Sequence, residues 1–368
     1  MTTPFAFADD LGPEKIIHLY DPATGLKAIV VVDNVAAGPA IGGTRMAADV
    51  TLEECVRLAR AMTLKNAAAG LRHGGAKSVI VGDPRMPAAD KERTIRAFAK
   101  AIADLRDYIP GPDMGTDETC MAWVHDVTGR SVGLPPELGG IPLDRIGATG
   151  FGLAQAIDAA RGFCGLELDG ARVVVQGYGS VGRHAARFLA ARGARLVAVS
   201  DSRGALANPD GIDLDALDAA KAAGKGVADC AAGTPLAADD LVAVDCEVWI
   251  PAARPDVIHG DNVDRLRARL VAEGANIPAT AGAERRLHER GILVLPDFIA
   301  NAGGVICAAV EYAGGTRADA FAVIEEKIRG NTRAVLEDAA ARAVPPRQAA
   351  DDLAAARVRR AMAYRKTY

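Results

Sequence analysis

Residues 172–191 constrain this chain more than any other stretch. Val173-Val174-Val175-Gln176 is an apolar run of strand composition. Gly177-Tyr178-Gly179-Ser180-Val181-Gly182 follows with G-x-G-x-x-G spacing, and a helical segment over 183–191 comes next. Gly177 permits a tight turn, Gly179 lets backbone approach a pyrophosphate, and Gly182 allows helix and strand to pack closely. The helix start then offers free N–H groups to phosphate oxygens. A second apolar run, Leu196-Val197-Ala198-Val199-Ser200, ends in Asp201, nineteen positions after Gly182. An acidic side chain there can hold both hydroxyls of an adenosine ribose. Three glycines alone would also suit an ordinary turn in an α/β sheet. The flanking strands and Asp201 favour a dinucleotide.

From about Ala171 onward, short apolar runs alternate with helical segments. Residues 172–176, 195–200, 246–250, 270–272 and 292–295 read as buried parallel strands, the pattern of a doubly wound sheet. The preceding part reads as mixed α/β. Residues 27–32 have strand composition, and Gly38-Pro39-Ala40-Ile41-Gly42-Gly43 punctuates the chain after them. Thr51-Leu52-Glu53-Glu54 has capping-box spacing and predicts a helix that closes near Gly70. A chain of 368 residues accommodates two domains. The expected fold class is therefore α/β with two domains. Residues 1–143 form an N-terminal mixed α/β substrate domain and 144–330 a Rossmann-type doubly wound dinucleotide-binding domain. Helices within 331–368, the last over 349–364, are expected to return to the first.

The predicted first helix places Lys65 on its last turn, and Lys77 follows Gly74-Gly75-Ala76 at the mouth of the strand Ser78-Val79-Ile80-Val81. The two could face one another across a turn. One ammonium can hold a substrate carboxylate as a point charge. A second, desolvated beside like charge, can become a base near neutral pH. Such a pair suggests an enzyme for a small carboxylate, although a lysine on a helix surface is ordinarily only solvated. Asp113, after Pro112, is either a partner for this chemistry or a helix N-cap. His73 and His125 read as a loop and a helix histidine.

Composition removes other function classes. A net charge of −4 with both signs interspersed gives no footprint for nucleic acid or an anionic membrane. The first ten residues lack the pattern of a signal peptide, and no apolar stretch reaches the roughly 18 residues of a membrane span. The six cysteines show no Cys-x-x-Cys and no His clustering, so they read as buried free thiols without a metal. A cytoplasmic protein is expected.

With these segments in view, the chain resembles the glutamate, leucine, phenylalanine and valine dehydrogenase family. The resemblance rests on Gly38 to Arg45, the two lysine segments (62–70 and 74–78), Gly111-Pro112-Asp113-Met114-Gly115-Thr116, the dinucleotide fingerprint, Glu273-Gly274-Ala275-Asn276, and Pro296 to Gly304. These run in family order from about residue 25 to 312. The resemblance implies that Lys65 pairs with the substrate α-carboxylate, that Lys77 activates water, and that Asp113 relays protons to and from the amine. Thr149 matches a residue near the nicotinamide amide, and Asn276 one beside the nicotinamide ribose and substrate. Tyr178, Ser180, Val181, Ser202, Ala252 and Ala253 are taken with Gly177, Gly179, Gly182 and Asp201 as cofactor-binding positions. Hydride leaves Cα for the nicotinamide, and water attacks the resulting iminium to give the 2-oxo acid and ammonia. The charge of Asp201 argues for NAD, whereas Arg203 could pair with the 2′-phosphate of NADP. Family members are homo-oligomers.

Two positions bear on the substrate. In the glutamate enzymes the fourth residue of Gly-Pro-x-x-Gly-Gly is a lysine for the side-chain carboxylate, and here it is Ile41. A serine assists it four positions after the last glycine of Asn-Ala-Gly-Gly, and here that is Ala308. An unpaired γ-carboxylate in such a pocket would cost several kcal/mol. The expectation is an apolar L-amino acid, branched-chain or aromatic, with Gly42 and Gly43 lining its site beside Ile41 and Ala308. The alternatives are a glutamate enzyme that uses another basic residue, such as Arg72, and a non-catalytic dinucleotide-binding protein.

Overall fold

The computed structural model describes residues 5–365. The chain divides into two compact units. The first comprises residues up to Leu143 with Val305–Ala320 and the segment from Asp351 onward; the second comprises Asp144–Gly304 and Phe321–Ala350. Residues 305–320 thus belong to the first unit and 331–350 to the second, where the sequence suggested the reverse for each. The reason is that three late helices, Gly303–Tyr312, Arg317–Arg342 and Pro346–Tyr364, run through the division points, so no loop signal marks them.

The first unit is built on a mixed five-stranded sheet. Its strands are β1 (Lys15–Asp21), β2 (Leu26–Asn34), β3 (Ala40–Ala47), β4 (Gly75–Val81) and β5 (Tyr108–Pro112), in the order β1-β2-β4-β3-β5. β3 runs parallel to both β4 and β5, whereas β2 is antiparallel to β1 and β4. Helix α1 (Leu52–Ala68) covers one face, with Cys55 and Ala59 packed on Val31 and Val79. Helices α2 (Ala88–Ala101) and α3 (Glu118–Thr128) cover the other, burying Ile95, Phe98 and Met121 against Val30, Ala76 and Ile80. Burial of this aliphatic surface drives the assembly.

The ends of α1 are set by its sequence. Thr51 caps it by accepting from the Glu54 N–H at 3.1 Å, and Glu53 and Glu54 sit on its positive end. Gly70 follows its last turn at φ +64°, a left-handed conformation that costs glycine little. Lys65 is on that last turn. Lys77 is the third residue of β4 and so lies within the strand, not at its mouth, because pairing with β2 and β3 extends back to Gly75. Asp113 follows β5 and is not a helix cap; Asp117 caps α3 instead.

The second unit carries a seven-stranded sheet. In chain order its strands are β6 (Arg172–Gln176), β7 (Arg195–Asp201), β8 (Gly204–Ala207), β9 (Thr234–Leu236), β10 (Val248–Pro251), β11 (Leu270–Ala272) and β12 (Leu293–Leu295). Their spatial order is β12-β11-β10-β6-β7-β8-β9, with β12 through β7 parallel and β8 and β9 added as an antiparallel edge. The chain moves from β6 to β7 on one side and later returns to β10 on the other. Ligands bind at such a switch point, beyond the strand C-termini. The flanking helices include α4 (Leu143–Ile146), α5 (Ala148–Cys164), α6 (Ser180–Ala190), α7 (Leu214–Ala222), α8 (Ala281–Glu289) and α9 (Asp297–Ala300). The three late helices become α10, α11 and α12. No helix among the described residues is long and apolar enough to cross a membrane.

Candidate active site

In the first unit, β3, β4, β5 and α1 bring Ile41, Gly42, Gly43, Lys65, Lys77 and Asp113 to one region of the sheet. Lys77 is 6% exposed and pairs directly with the Asp113 carboxylate through Oδ2. The other carboxylate oxygen accepts from Arg45 Nη2 at 3.2 Å and from the Met114 N–H at 2.5 Å. Gly43 makes the pairing possible. A Cβ there would stand 2.9 Å from Asp113 Oδ2 and 3.0 Å from Lys77 Nζ. Any side chain at that position would occupy the space of the ion pair.

Burial is the main cause that depresses Lys77, to about 7, and the positive charge of Arg45 adds to it; Lys65 also contributes. Glu54, paired with Arg45, pulls the other way. Beneath them, burial pushes the Cys55 thiol up to about 12, so it is a neutral group at physiological pH. All six cysteines are free thiols, five of them buried. Among the described residues no cluster of His, Cys, Asp and Glu could hold a metal ion.

A short distance along β3, Ile41 joins Ile109, Val132 and Ala308 in a buried apolar cluster, with Ala309 packed against it. Ile41 and Ala308 are only 4% and 7% exposed. Positions separated by more than 260 residues in sequence therefore share one buried apolar cluster, since residues 305–320 belong to the first unit. Arg72 is exposed, on the segment between α1 and β4. The loop that carries Val132 is fastened by Glu311, also on α10. Its Oε1 accepts from the Gly133 and Leu134 N–H groups at 2.7 and 3.1 Å, and its Oε2 from the Ile141 N–H at 2.7 Å.

The second unit gathers the expected cofactor positions beyond the C-termini of β6, β7, β10 and β11. Gly177 has φ +97°, and the N–H groups of Gly177 and Tyr178 both donate to Ser200 O at 2.9 Å. Gly182 lies against the Gly177 carbonyl, where a Cβ would come within 2.0 Å. In front of Gly179 there is open space, and no side chain caps α6. This cradle fits a pyrophosphate. The Tyr178 side chain turns away from it, buried, with its hydroxyl donating to Asp218 at 3.0 Å, so Tyr178 offers only backbone there. The Ser180 hydroxyl is likewise engaged, donating to Asp144 O at 3.0 Å. Val181 is half-buried on the first turn of α6.

Asp201 ends β7, but it is already partnered. Lys221 Nζ and the Val227 N–H donate to Oδ2 at 2.5 and 3.1 Å, and the Arg203 N–H donates to Oδ1 at 2.8 Å. Ser202 is exposed beside it, and the Arg203 guanidinium donates to Gly224 O. Ala252 and Ala253 follow β10 and stand against Gly177, where a Cβ would lie 2.9 Å from each. Asn276 follows β11, exposed, its side-chain oxygen accepting from Asn301 Nδ2 at 3.0 Å. Thr149, on the first turn of α5, lies against Gly304, with 3.2 Å from Oγ1 to a Cβ placed there.

A model of the glutamate/leucine/phenylalanine/valine dehydrogenases matches residues 139–366, and a model of their dimerisation domain matches residues 13–130. The chain belongs to the Glu/Leu/Phe/Val dehydrogenase family. It is an amino-acid dehydrogenase, and the family's cofactor is NAD or NADP. The NADP(+)-dependent glutamate dehydrogenase of Pyrobaculum calidifontis is 42% identical over 77% of this chain and 71% of its own. NAD-specific glutamate dehydrogenase A of Halobacterium salinarum is 37% identical over 87% of this chain and 78% of its own. Among solved structures, the hetero-hexameric glutamate dehydrogenase of Thermus thermophilus in a Leu-bound form superposes with a TM-score of 0.85 at 32% identity, over 97% of this chain and 91% of that one. The L-tryptophan dehydrogenase of Nostoc punctiforme superposes at 0.76 with 25% identity, over 96% and 98%.

Against this family background, four residues stand out to which the sequence reading gave no role. Arg45 ends the Gly38–Arg45 segment, yet only the fold shows it on Asp113. Asn66, adjacent to Lys65, donates to Gly74 O at 2.7 Å and ties α1 to the turn before β4. Glu311 and Lys221 act across 170 and 20 positions respectively. No local pattern announces contacts of that range.

Proposed function

We propose that the protein catalyses the NAD-linked, reversible oxidative deamination of an apolar L-amino acid, branched-chain or aromatic, to its 2-oxo acid and ammonia. The observation that carries this reading is the wall formed by Ile41, Ile109, Val132 and Ala308. A γ-carboxylate against these side chains would lose its water and gain no partner from them, at a cost of several kcal/mol. An aliphatic or aromatic side chain would gain about 25 cal/mol for each Å² of apolar surface it buries there.

In this scheme Lys65 holds the α-carboxylate as a point charge. When bound, the nicotinamide supplies a hydride acceptor for Cα. Lys77, with a pKa near neutrality, then takes a proton from the water that attacks the iminium carbon. Asp113 accepts a proton from the amine and passes it on, held in place by Arg45 and the Met114 N–H. Arg45 keeps positive charge beside Lys77 and so favours its neutral, basic form. NAD is preferred over NADP on the position of Asp201 at the end of β7. A homo-oligomer is the proposed assembly, as the matching dimerisation-domain model suggests.

Glutamate is the second reading, favoured by the names of relatives about 40% identical to this chain. Initial rates of NADH formation across L-leucine, L-valine, L-phenylalanine and L-glutamate separate the two. The proposal expects leucine, valine or phenylalanine to lead, and a lead by glutamate overturns it.

A further inference from the structure

In the second unit, Arg347 lies at the start of α12 among three carboxylates. Nη2 donates to Glu273 Oε2 at 2.6 Å, Nη1 to Asp297 Oδ1 at 3.1 Å, and Nε to both Glu284 oxygens at 2.6 and 2.7 Å. The Glu273 side chain is fully buried, Asp297 and Glu284 nearly so. Glu273 Oε1 has no hydrogen-bond partner among the described residues. A cluster that places three acids around one guanidinium is expensive to bury, and the guanidinium is the partner that compensates all three.

What it enforces is the loop after β11. The free oxygen of Asp297, Oδ2, accepts from the Ile277 N–H at 2.8 Å, while the Asp297 N–H donates to Glu273 Oε2 at 3.0 Å. Ile277 is a β-branched residue at φ +49°, a left-handed conformation in which its side chain is strained. Its carbonyl accepts from the N–H of Asp256, at φ +55° another of the non-glycine residues in that region. The side chain of Ile277 is exposed, so packing does not impose this conformation. Asn276 immediately precedes it. The same loop is tied to the end of β10 by the Gly274 and Ala275 N–H groups, which donate to Pro251 O at 3.0 and 2.8 Å.

We infer that Arg347 is a positioning residue for the nicotinamide end of the cofactor site. It fixes Asp297, and Asp297 holds Ile277 in the strained turn that presents Asn276. This inference rests on the reading of Asn276 as a nicotinamide-side residue. Glu273 and Asp297 are thereby anchors of the turn, and Arg347 acts on the cofactor only through them.

The test compares two probes of the full-length protein by equilibrium titration, NADH and ADP. ADP reaches only the Gly177–Gly182 cradle and Asp201, whereas NADH also reaches Asn276. Arg347→Met should weaken NADH binding about tenfold, the order expected when a strained turn is released, and leave ADP binding within about twofold. Arg347→Lys, which keeps the charge and loses the planar fork, should act in the same direction more weakly and serves if the methionine variant does not fold. Ile277→Gly in the Arg347→Met background should restore most of the NADH affinity, because glycine adopts this φ without support. An equal loss for both probes, or no rescue by glycine, would overturn the inference. Asn276→Ala decides the underlying reading separately. If it leaves NADH affinity unchanged, Asn276 is not at the cofactor and the inference falls with it; a loss confined to NADH supports both.

Discussion

Lys77 and Asp113 form an ion pair in the space that Gly43 leaves open. β4 carries the lysine, the turn after β5 carries the aspartate, and β3 between them supplies the missing side chain. The pair to which the proposed function gives the roles of proton acceptor and proton relay is thus held in contact by sheet register.

Gly43→Ala tests that arrangement directly. The added methyl would stand 2.9 Å from Asp113 Oδ2 and 3.0 Å from Lys77 Nζ, so the pair must separate. The expected result is a fall in kcat of about 10²-fold, in line with a misplacement of about 1 Å between reacting groups. The melting temperature should fall far less than it would on removal of either charged partner.

The pH profile of deamination follows from the depressed pKa of Lys77. Only the neutral amine can accept the proton of water, and its fraction rises as pH passes through about 7. The kcat for deamination should therefore climb between roughly pH 6 and 8 and level off above. Arg45→Gln removes a positive charge that favours the neutral form, so its rising limb should move to higher pH. A limb that stays in place would mean that another group titrates.

Glu311 should behave as a structural fastener with a catalytic echo. Glu311→Gln turns an amide N–H toward backbone donors that now meet carboxylate oxygen, leaving one or more buried N–H groups unsatisfied. A loss of about 1–3 kcal/mol in unfolding free energy is expected. Freed of this tie, the loop bearing Val132 should also discriminate less between leucine and smaller aliphatic amino acids, read as the ratio of their kcat/KM values.

The ion pair of Lys221 with Asp201 bears on the proposed preference for NAD. The Lys221 ammonium neutralises Asp201, the charge that would repel a 2′-phosphate. Lys221→Met should raise the preference for NAD over NADP by about tenfold in kcat/KM, and Asp201→Ser should lower it. An unchanged ratio in both variants would take cofactor discrimination away from this corner.

Much of this architecture is legible in the sequence because glycines and apolar runs write it locally. Val173 to Gly182 announces β6, its turn and α6, and Thr51 with Glu54 announces α1. Five strands escape that reading: β1, β3 and β5 carry no strand expectation, residues 40–43 reading as punctuation although they lie in β3, and β8 and β9 are missed as well. β8 is alanine-rich and four residues long, and β9 has three residues around a proline, so neither carries a β-propensity signal. The lysine pair and Asp113 are visible as types in a spaced pattern. Their contact is not, since it depends on the parallel register of β3 with β4 and β5. Nor does any local pattern show that Ile109 and Val132 complete the wall of Ile41 and Ala308, or that Arg347 reaches Glu273 across 74 positions. Long-range partners of this kind are fixed by tertiary packing alone.

The central claim is that an apolar wall at Ile41 selects the substrate. The most direct measurement is the ratio of kcat/KM for L-leucine to that for L-glutamate, in the wild type and in Ile41→Lys. The proposed function predicts a ratio above one in the wild type and a fall of about 10²-fold or more in the variant, where the new ammonium pairs with the γ-carboxylate and intrudes on an aliphatic side chain. A wild-type ratio below one, or a ratio that Ile41→Lys leaves unchanged, would contradict it.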